Sequence, residues 1–240
     1  MIETRDIFVW LQTTVRRSSE RTINSIERSD IGNRFLVITD KKIRKFPDDY
    51  VDLQRFWDLA WRDAVDAARI RRCSYILRLE DDILVNRHIL HNVCRWRAVN
   101  SSKFGLGTLF QPDYWLRRPE LFERDQETGL TFRNTKDVEG AQAQLIRTDL
   151  VEELLEGVPK ARVEKGLWQA HQQPSFDWSL SRAAWALGLR VFVHEPALVN
   201  LHEGSQSSTI DLTQHRTQVP HPECEHYWGH KSFKPDWRAA

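Results

Sequence analysis

The sequence predicts one α/β domain built on a mostly parallel, doubly wound sheet with helices on both faces. Three observations lead there. The 240 residues are enough for one sizeable hydrophobic core. Apolar strand-like runs alternate with helical stretches from the start, the order that yields parallel strands joined by crossover helices. No internal repeat and no linker-like stretch breaks the chain into separate units.

The elements follow in order. "DIFVWLQTT", Asp6 to Thr14, is a continuous apolar run that ends in hydroxyls, as a buried strand would. Ser18 to Ser29 opens on a serine cap and places Ile23 and Ile26 at helical spacing. "NRFLVITD" is a second strand, ending at Asp40. After the Pro47-Asp48-Asp49 turn, Leu53, Trp57, Ala60, Trp61, Ala64 and Ala68 form a stripe on one face of a helix. "SYILRLEDD" is the third strand, Arg87 to Ala98 the next helix, and "KFGLGTLF" a fourth strand.

The second half is less regular. Residues 111–135 mix aromatic and charged side chains and read as a long loop or β-excursion. "EGAQAQLIRTDLVEELLEGVP" reads as a short strand and a helix, with Asp149 and Glu152 as a capping pair and Gly157-Val158-Pro159 as the stop. "SFDWSLSRAAWALGLRVFVHEPALVNLHEGSQSS" supplies a helix, Gly188 as its C-cap, a strand, and a loop around His202. The expected division is a domain over 1–205 and a polar tail over 206–240 that packs on or near the active site.

Charge and cysteine content exclude several classes. Lysine and arginine total 35 against 34 acids, so a global attraction to nucleic acid or anionic membrane has no support. Locally, Arg16-Arg17 and Arg69-Ile70-Arg71-Arg72 are either phosphate contacts or solvated faces. No stretch approaches the roughly 18 apolar residues of a membrane span, and the N-terminus lacks a signal-peptide core. Three widely spaced cysteines make a disulfide framework unexpected, and a reduced, cytoplasmic protein is the expectation. The tail segment "HPECEHYWGH" has the composition of a zinc site, but only His226 and His230 have ligand-like spacing, and no zinc is expected.

The chemistry concentrates in "YILRLEDDILVNRHIL". Three adjacent carboxylates, Glu80, Asp81 and Asp82, stand between apolar runs at the carboxyl end of a strand, where open α/β sheets bind their ligands. Carboxylates crowded beside apolar residues need a positive partner. Alternation along a strand sends Glu80 and Asp82 one way and Asp81 the other. Two carboxylates on one side suit a hard cation, Mg²⁺ or Mn²⁺. The plain alternative is a solvated turn with no metal, in which Asp81 caps a helix or forms the turn.

"LRLEDDI" after two strand–helix units resembles the D-x-D-type motif of GT-A (Rossmann-like) nucleotide-sugar glycosyltransferases. The variant is the "LEDD" form found in N-acetylglucosaminyltransferase IV-like and collagen-galactosyltransferase-like enzymes. "IFVWLQTTVRRSS" is similar to the family's first strand and nucleotide loop. "VEGAQAQLIRTDLVEELL" resembles its acceptor-side strand and helix, and the stretch from Phe176 to Ser208 its late segment, so the likeness spans about residues 6–210.

The resemblance implies a metal-dependent transfer of a sugar from a nucleoside diphosphate, commonly UDP, to an acceptor hydroxyl. It implies Asp82 as direct ligand of Mn²⁺ or Mg²⁺ and His202 as completing the shell. Glu80 would reach the metal through water, or the ribose. Asp40 would contact the nucleobase, with Thr13, Thr14 and Arg16 along the nucleotide and Asp81 beside it. In inverting members a carboxylate near a helix start deprotonates the acceptor, and Asp177 in "SFDWSL" has that placement. A helix N-terminus depresses such a carboxyl, which disfavours a base, whereas an apolar wall from Phe176 and Trp178 offsets this. A simple helix cap is the alternative for Asp177, and a structural histidine for His202.

Two other functions use the same acids: a metal-dependent nucleotidyltransferase or phosphohydrolase, and a catalytically inactive carbohydrate- or nucleic-acid-binding module. The acceptor (glycan, peptide, small metabolite or modified nucleic-acid base) is not legible. It is expected to be chosen by the 111–135 stretch, with Tyr114, Trp115, Arg117 and Arg118.

Overall fold

The computed structural model describes residues 2–13, 19–39, 50–110, 119–134, 138, 142–164, 176–195 and 197–201. Its strands are β1 (Ile7–Thr13), β2 (Phe35–Thr39), β3 (Tyr75–Glu80), β4 (Ile83–Val85), β5 (Phe104–Thr108), β6 (Phe122–Arg124), β7 (Thr131–Arg133), β8 (Ala143–Arg147), β9 (Arg190–Val193) and β10 (Val199–Leu201). The helices are α1 (Glu20–Glu27), α2 (Tyr50–Ile70), α3 (Ile89–Arg95), α4 (Val151–Glu164) and α5 (Phe176–Ala186).

Eight strands form one sheet in the order β2-β1-β3-β8-β5-β9-β7-β6, and β4 and β10 form a separate antiparallel pair. β1 is parallel to both β2 and β3, and β5 is parallel to β9. β8 lies antiparallel between β3 and β5, and β7 is antiparallel to β9 and β6. Six of the eight strands therefore point the same way, with β8 and β7 reversed, and in strand direction the sheet is mostly parallel, as the strand–helix alternation predicts.

Period-two alternation splits the apolar side chains between the faces. Ile7, Val9, Leu11, Leu77, Leu79 and Leu145 point to the layer of α1 and α3. Phe8, Trp10, Ile76 and Ile146 point to the layer of α2, α4 and α5. In that second layer Trp10 and Trp61 meet edge to face, with ring centroids 5.3 Å apart. Two of the chain's tryptophans are thus core residues, both fully buried.

Several expectations need correction. Ser19 occupies the N-cap of α1 but its side chain makes no capping hydrogen bond. The Gly157-Val158-Pro159 stop is not one, for α4 runs through it to Glu164. A proline inside a helix costs about 3 kcal/mol or more, through its missing N–H and its ring's clash with the carbonyl four residues back, so tertiary packing offsets it here, and Gly157 has a packing role. A Cβ there would lie 2.9 Å from Cβ of Ala183, so the glycine lets α4 and α5 approach closely. Asp149 and Glu152 do not act as a pair: their carboxylates are engaged by Arg147 and by Arg69 respectively. The strands β4 and β10, three residues each, have too few residues for a periodic signal and were absent from the expected elements.

Other expectations hold. The 111–135 stretch contains a β-excursion, the β6–β7 hairpin. Gly188, at φ +75, ends α5 in a Schellman turn, with Leu189 N–H donating to Ala184 C=O and Gly188 N–H to Trp185 C=O. Of the three cysteines, Cys73 and Cys94 are free thiols and Cys224 lies outside the described residues. Among the described residues no helix is long and apolar enough to cross a membrane. The tail over 206–240 lies outside the described residues.

Candidate functional site at the carboxyl edge of the sheet

β3 ends at Glu80, whose N–H donates to the carbonyl of Gln142 at 3.0 Å. Asp81 and Asp82 form a tight turn into β4. The three acids then separate into three environments. Asp81, 4% exposed, accepts the Thr13 hydroxyl at Oδ2 (3.0 Å), and its carbonyl accepts the Thr22 hydroxyl (2.8 Å). It therefore ties the end of β1 and the first turn of α1 to the turn after β3. Asp82 is buried at 9% exposure in the same turn.

Glu80 has a partner that the sequence reading did not name. Arg78, 1% exposed, donates Nη2 to Glu80 Oε1 at 3.0 Å, Nε to Gln12 Oε1 at 2.8 Å, and Nη1 to Gln144 Oε1 at 3.3 Å. A buried guanidinium without such partners would cost several kcal/mol. The positive partner expected for the acid run is, for Glu80, this arginine. The signal was present as an opposite charge two residues before Glu80, which puts both on one strand face.

The alternation expected to align Glu80 with Asp82 stops at Glu80, the last residue of β3. Glu80 lies with Arg78 on the face of α2, α4 and α5, whereas Asp82 belongs to the turn. On the far side of Asp82, Ile83 pairs with Leu201, the last described residue of β10. The next residue in the chain, His202, lies outside the described residues.

Asp177 is in the first turn of α5 and 7% exposed. The Gly188 turn reverses the chain between α5 and β9, so the first turn of α5 lies toward the carboxyl end of β9. Ser181, one turn further on, accepts the Val138 N–H at Oγ (3.1 Å). Val138 is four residues before Gln142, the backbone partner of Glu80. Asp177, Glu80 and the Asp81-Asp82 turn therefore share one edge of the sheet, with Asp177 and Glu80 on the same face.

Thr14, Arg16, Asp40, His202 and the four acceptor-side residues from Tyr114 to Arg118 lie outside the described residues, as do His226 and His230. The Arg69 to Arg72 run is a solvated face, on which Arg69 forms a two-pronged ion pair with Glu152 and Arg71 stacks over Phe8 at 5.2 Å from the ring centroid.

Among the described residues no three histidine, cysteine or acidic side chains cluster as a metal site. A cage made wholly of protein is not what Mg²⁺ or Mn²⁺ needs, because one or two carboxylates suffice when a substrate's phosphates and water fill the shell. Asp82 supplies one such oxygen donor. Two further buried oxygens, Gln142 Oε1 and Asn200 Oδ1, have no hydrogen-bond partner among the described residues and belong to segments flanking the acid turn. All three are oxygens, the donor type that Mg²⁺ and Mn²⁺ prefer.

No family model and no curated protein matches the chain. Among solved structures, a glycosyltransferase involved in the glycosylation of the major capsid of PBCV-1 is similar at 12% identity and TM-score 0.43, over 88% of this chain and 100% of that one. A cytidylyltransferase from Leptospira borgpetersenii serovar Hardjo-bovis is similar at 10% identity and TM-score 0.41, over 79% and 75%. A197 from STIV is similar at 6% identity and TM-score 0.42, over 83% and 86%. These are distant likenesses, and what the site does has to be argued from its own side chains.

Proposed function

We propose that the chain is a metal-dependent glycosyltransferase that moves a sugar from a nucleoside-diphosphate sugar, UDP-linked by preference, to an acceptor hydroxyl with inversion at the anomeric carbon. The observation that carries this reading is the division of labour among the three strand-end acids. Arg78 compensates Glu80, and Thr13 and Thr22 clasp Asp81. Asp82 sits buried in the turn that leads into β4, whose partner strand β10 runs on in the chain to His202.

In this reading Asp82 and His202 hold Mn²⁺ or Mg²⁺. When bound, the cation supplies Lewis-acid neutralisation of the charge that develops on the leaving diphosphate. Glu80, presented by Arg78 at the same edge, orients donor hydroxyls. Thr13, Arg16, Asp40 and Asp81 line or shape the nucleotide side. Asp177 takes the proton from the acceptor hydroxyl as it attacks the anomeric carbon. Burial of Asp177 in the first turn of α5 sets it apart from a solvated cap.

The test is a panel of nucleotide-sugars with Mn²⁺, read by release of nucleoside diphosphate, on wild type and Asp82→Ala. Release that requires the cation and disappears in Asp82→Ala, with the fold intact by circular dichroism, is expected. Cation-dependent turnover of nucleoside triphosphates without sugar transfer would instead identify a nucleotidyltransferase or phosphohydrolase. Full activity in excess EDTA would sink the metal reading.

A further inference from the structure

We propose that Gln12, Glu80 and Gln142, a polar row across three adjacent strands on the face of α2, α4 and α5, dock the neutral sugar ring of the nucleotide-linked donor through its hydroxyls. The proposal rests on the glycosyltransferase reading for what carries the sugar, and on neither Asp81 nor Asp82.

The two faces of the sheet end differently at the carboxyl edge. On the face of α1 and α3 the strands stay apolar, and Leu11, Leu79 and Ala143 are fully buried there. On the opposite face Phe8, Ile76, Leu106 and Ile146 give way to polar side chains farther along the same strands. The first polar row is closed: Arg78, Gln144 and Thr108 are opposite one another in register and each is 1% exposed. The next row opens. Gln12 is opposite Glu80, and the bond from Glu80 N–H to the Gln142 carbonyl carries the β3–β8 ladder one step past Leu79 and Ala143. Glu80 and Gln142 are both partly exposed. A row that served packing alone would be apolar, like its counterpart on the other face.

The closed row orients the open one. Arg78 donates to Gln12 Oε1 and to Glu80 Oε1, and its planar fork fixes the direction of both side chains. What each has left is then defined. Gln12 Nε2, a donor, and Glu80 Oε2, an acceptor, have no partner among the described residues. Gln142 Oε1 is a second acceptor without a partner among them. It is buried, but the terminal amide torsion is soft, so a small rotation turns the oxygen toward a ligand. Neighbouring strands are about 4.8 Å apart, which sets the three groups in a line.

The chemistry of these atoms selects the ligand. A hydroxyl donates and accepts, so the hydroxyls of one ring serve an amide N–H, a carboxylate and an amide oxygen together. A phosphate offers acceptors only and shares the sign of the Glu80 charge. The row therefore suits the sugar end of a nucleotide-sugar and not its diphosphate. It also shares its face with Asp177, so a ring held there stands before the base proposed for the acceptor.

Calorimetry on the full chain with Mn²⁺ tests this, using bare UDP and the UDP-linked forms of glucose, galactose and N-acetylglucosamine, in wild type, Gln142→Leu and Glu80→Gln. Losing one neutral hydrogen bond costs about fivefold in affinity, and one to a charged group about tenfold or more. At least one UDP-sugar should bind about fivefold more weakly to Gln142→Leu and about tenfold more weakly to Glu80→Gln. Bare UDP should bind all three proteins alike. Losses shared equally by bare UDP overturn the proposal, as does an unchanged UDP-sugar affinity in the folded variants. Should Glu80→Gln not fold, because Arg78 is left uncompensated, Gln142→Leu decides alone. If wild type binds neither UDP nor any UDP-sugar, the glycosyltransferase reading falls. The row is then judged by saturation-transfer NMR with free glucose, galactose and mannose. Ring protons saturated by wild type and not by Gln142→Leu support it, and no saturation by wild type overturns it.

Discussion

The Thr13 hydroxyl donates to Asp81 Oδ2 at 3.0 Å, joining the ends of β1 and β3 across 68 residues of sequence. Both residues are buried, so the bond is made where water cannot replace it. Together with the Thr22 hydroxyl on the Asp81 carbonyl, it fixes the angle at which the chain leaves β3. Thr13→Val, which keeps the shape and removes the donor, should destabilise the fold by about 1–3 kcal/mol. Urea denaturation reads this directly. Asp81→Asn should keep the cation requirement for turnover. Loss of metal dependence in that variant would make Asp81 a ligand rather than a brace.

Gly157 makes a prediction independent of function. A Cβ added at Gly157 would lie only 2.9 Å from Cβ of Ala183, so the glycine is what lets α4 and α5 approach. In an ordinary helix interior Gly→Ala stabilises, by up to about 1 kcal/mol. Here overpacking of about 1–3 kcal/mol should win, and Gly157→Ala should lower the thermal midpoint. The first turn of α5 holds Asp177, so transfer activity should fall with it. A midpoint that rises would show that the two helices separate at little cost.

Asp125 contributes to the acid arm of stability. Burial pushes its carboxyl up, but the hydroxyl and N–H of Thr128, the Ser101 hydroxyl and the Lys103 charge outweigh burial and hold it below the ordinary carboxylate range. Thr128 makes both contacts on Oδ2, at 2.9 Å and 2.7 Å. A depressed folded-state pKa contributes stability that is fully present above the unfolded value, about 3.9. That stability is lost as pH falls through the folded value. Asp125→Asn should therefore be less stable than wild type by a constant margin from pH 5 to 7, and the margin should shrink below about pH 4. Urea midpoints measured across that range check it. A margin independent of pH would assign the loss to shape rather than charge.

The fold was legible because its signals are periodic and local. Leu77 and Leu79 against Ile76, or the Ala60–Trp61–Ala64–Ala68 stripe, announce which face each residue takes. Gly188 marks the end of α5 by its positive φ, and the structure agrees. What escaped was non-local or too short. β4 and β10 have three residues each and exist because they pair with one another. Gly157 reads as a stop by composition and is a close contact in three dimensions. At the site, the position of the acids at a strand end was visible in the residues themselves. Their division was not, because Arg78 needs Gln12 and Gln144 from two other strands to be buried. Strand alternation, applied past Glu80, placed Asp82 on a strand that had already ended.

Asp177 separates an inverting transferase from the other readings of the same edge. It lies on the face that also holds Glu80, in the first turn of a helix whose next turn is fixed by the bond from Val138 N–H to Ser181 Oγ. Asp177→Asn preserves size and capping ability, since asparagine caps about as well as aspartate. It removes the proton acceptor. General-base catalysis is worth about 10²–10⁴-fold, so kcat for transfer should fall by that order. Binding of the nucleotide-sugar should change little, because in the proposed reading the donor is held by the strand-end acids and not by Asp177, and the loss would belong to an interaction made in the transition state. Single-turnover transfer with Mn²⁺, together with the anomeric configuration of the wild-type product by NMR, decides the matter. A near-normal kcat in the variant means that Asp177 only caps α5. A product that keeps the donor's configuration removes the need for a base there, whatever the variant's rate.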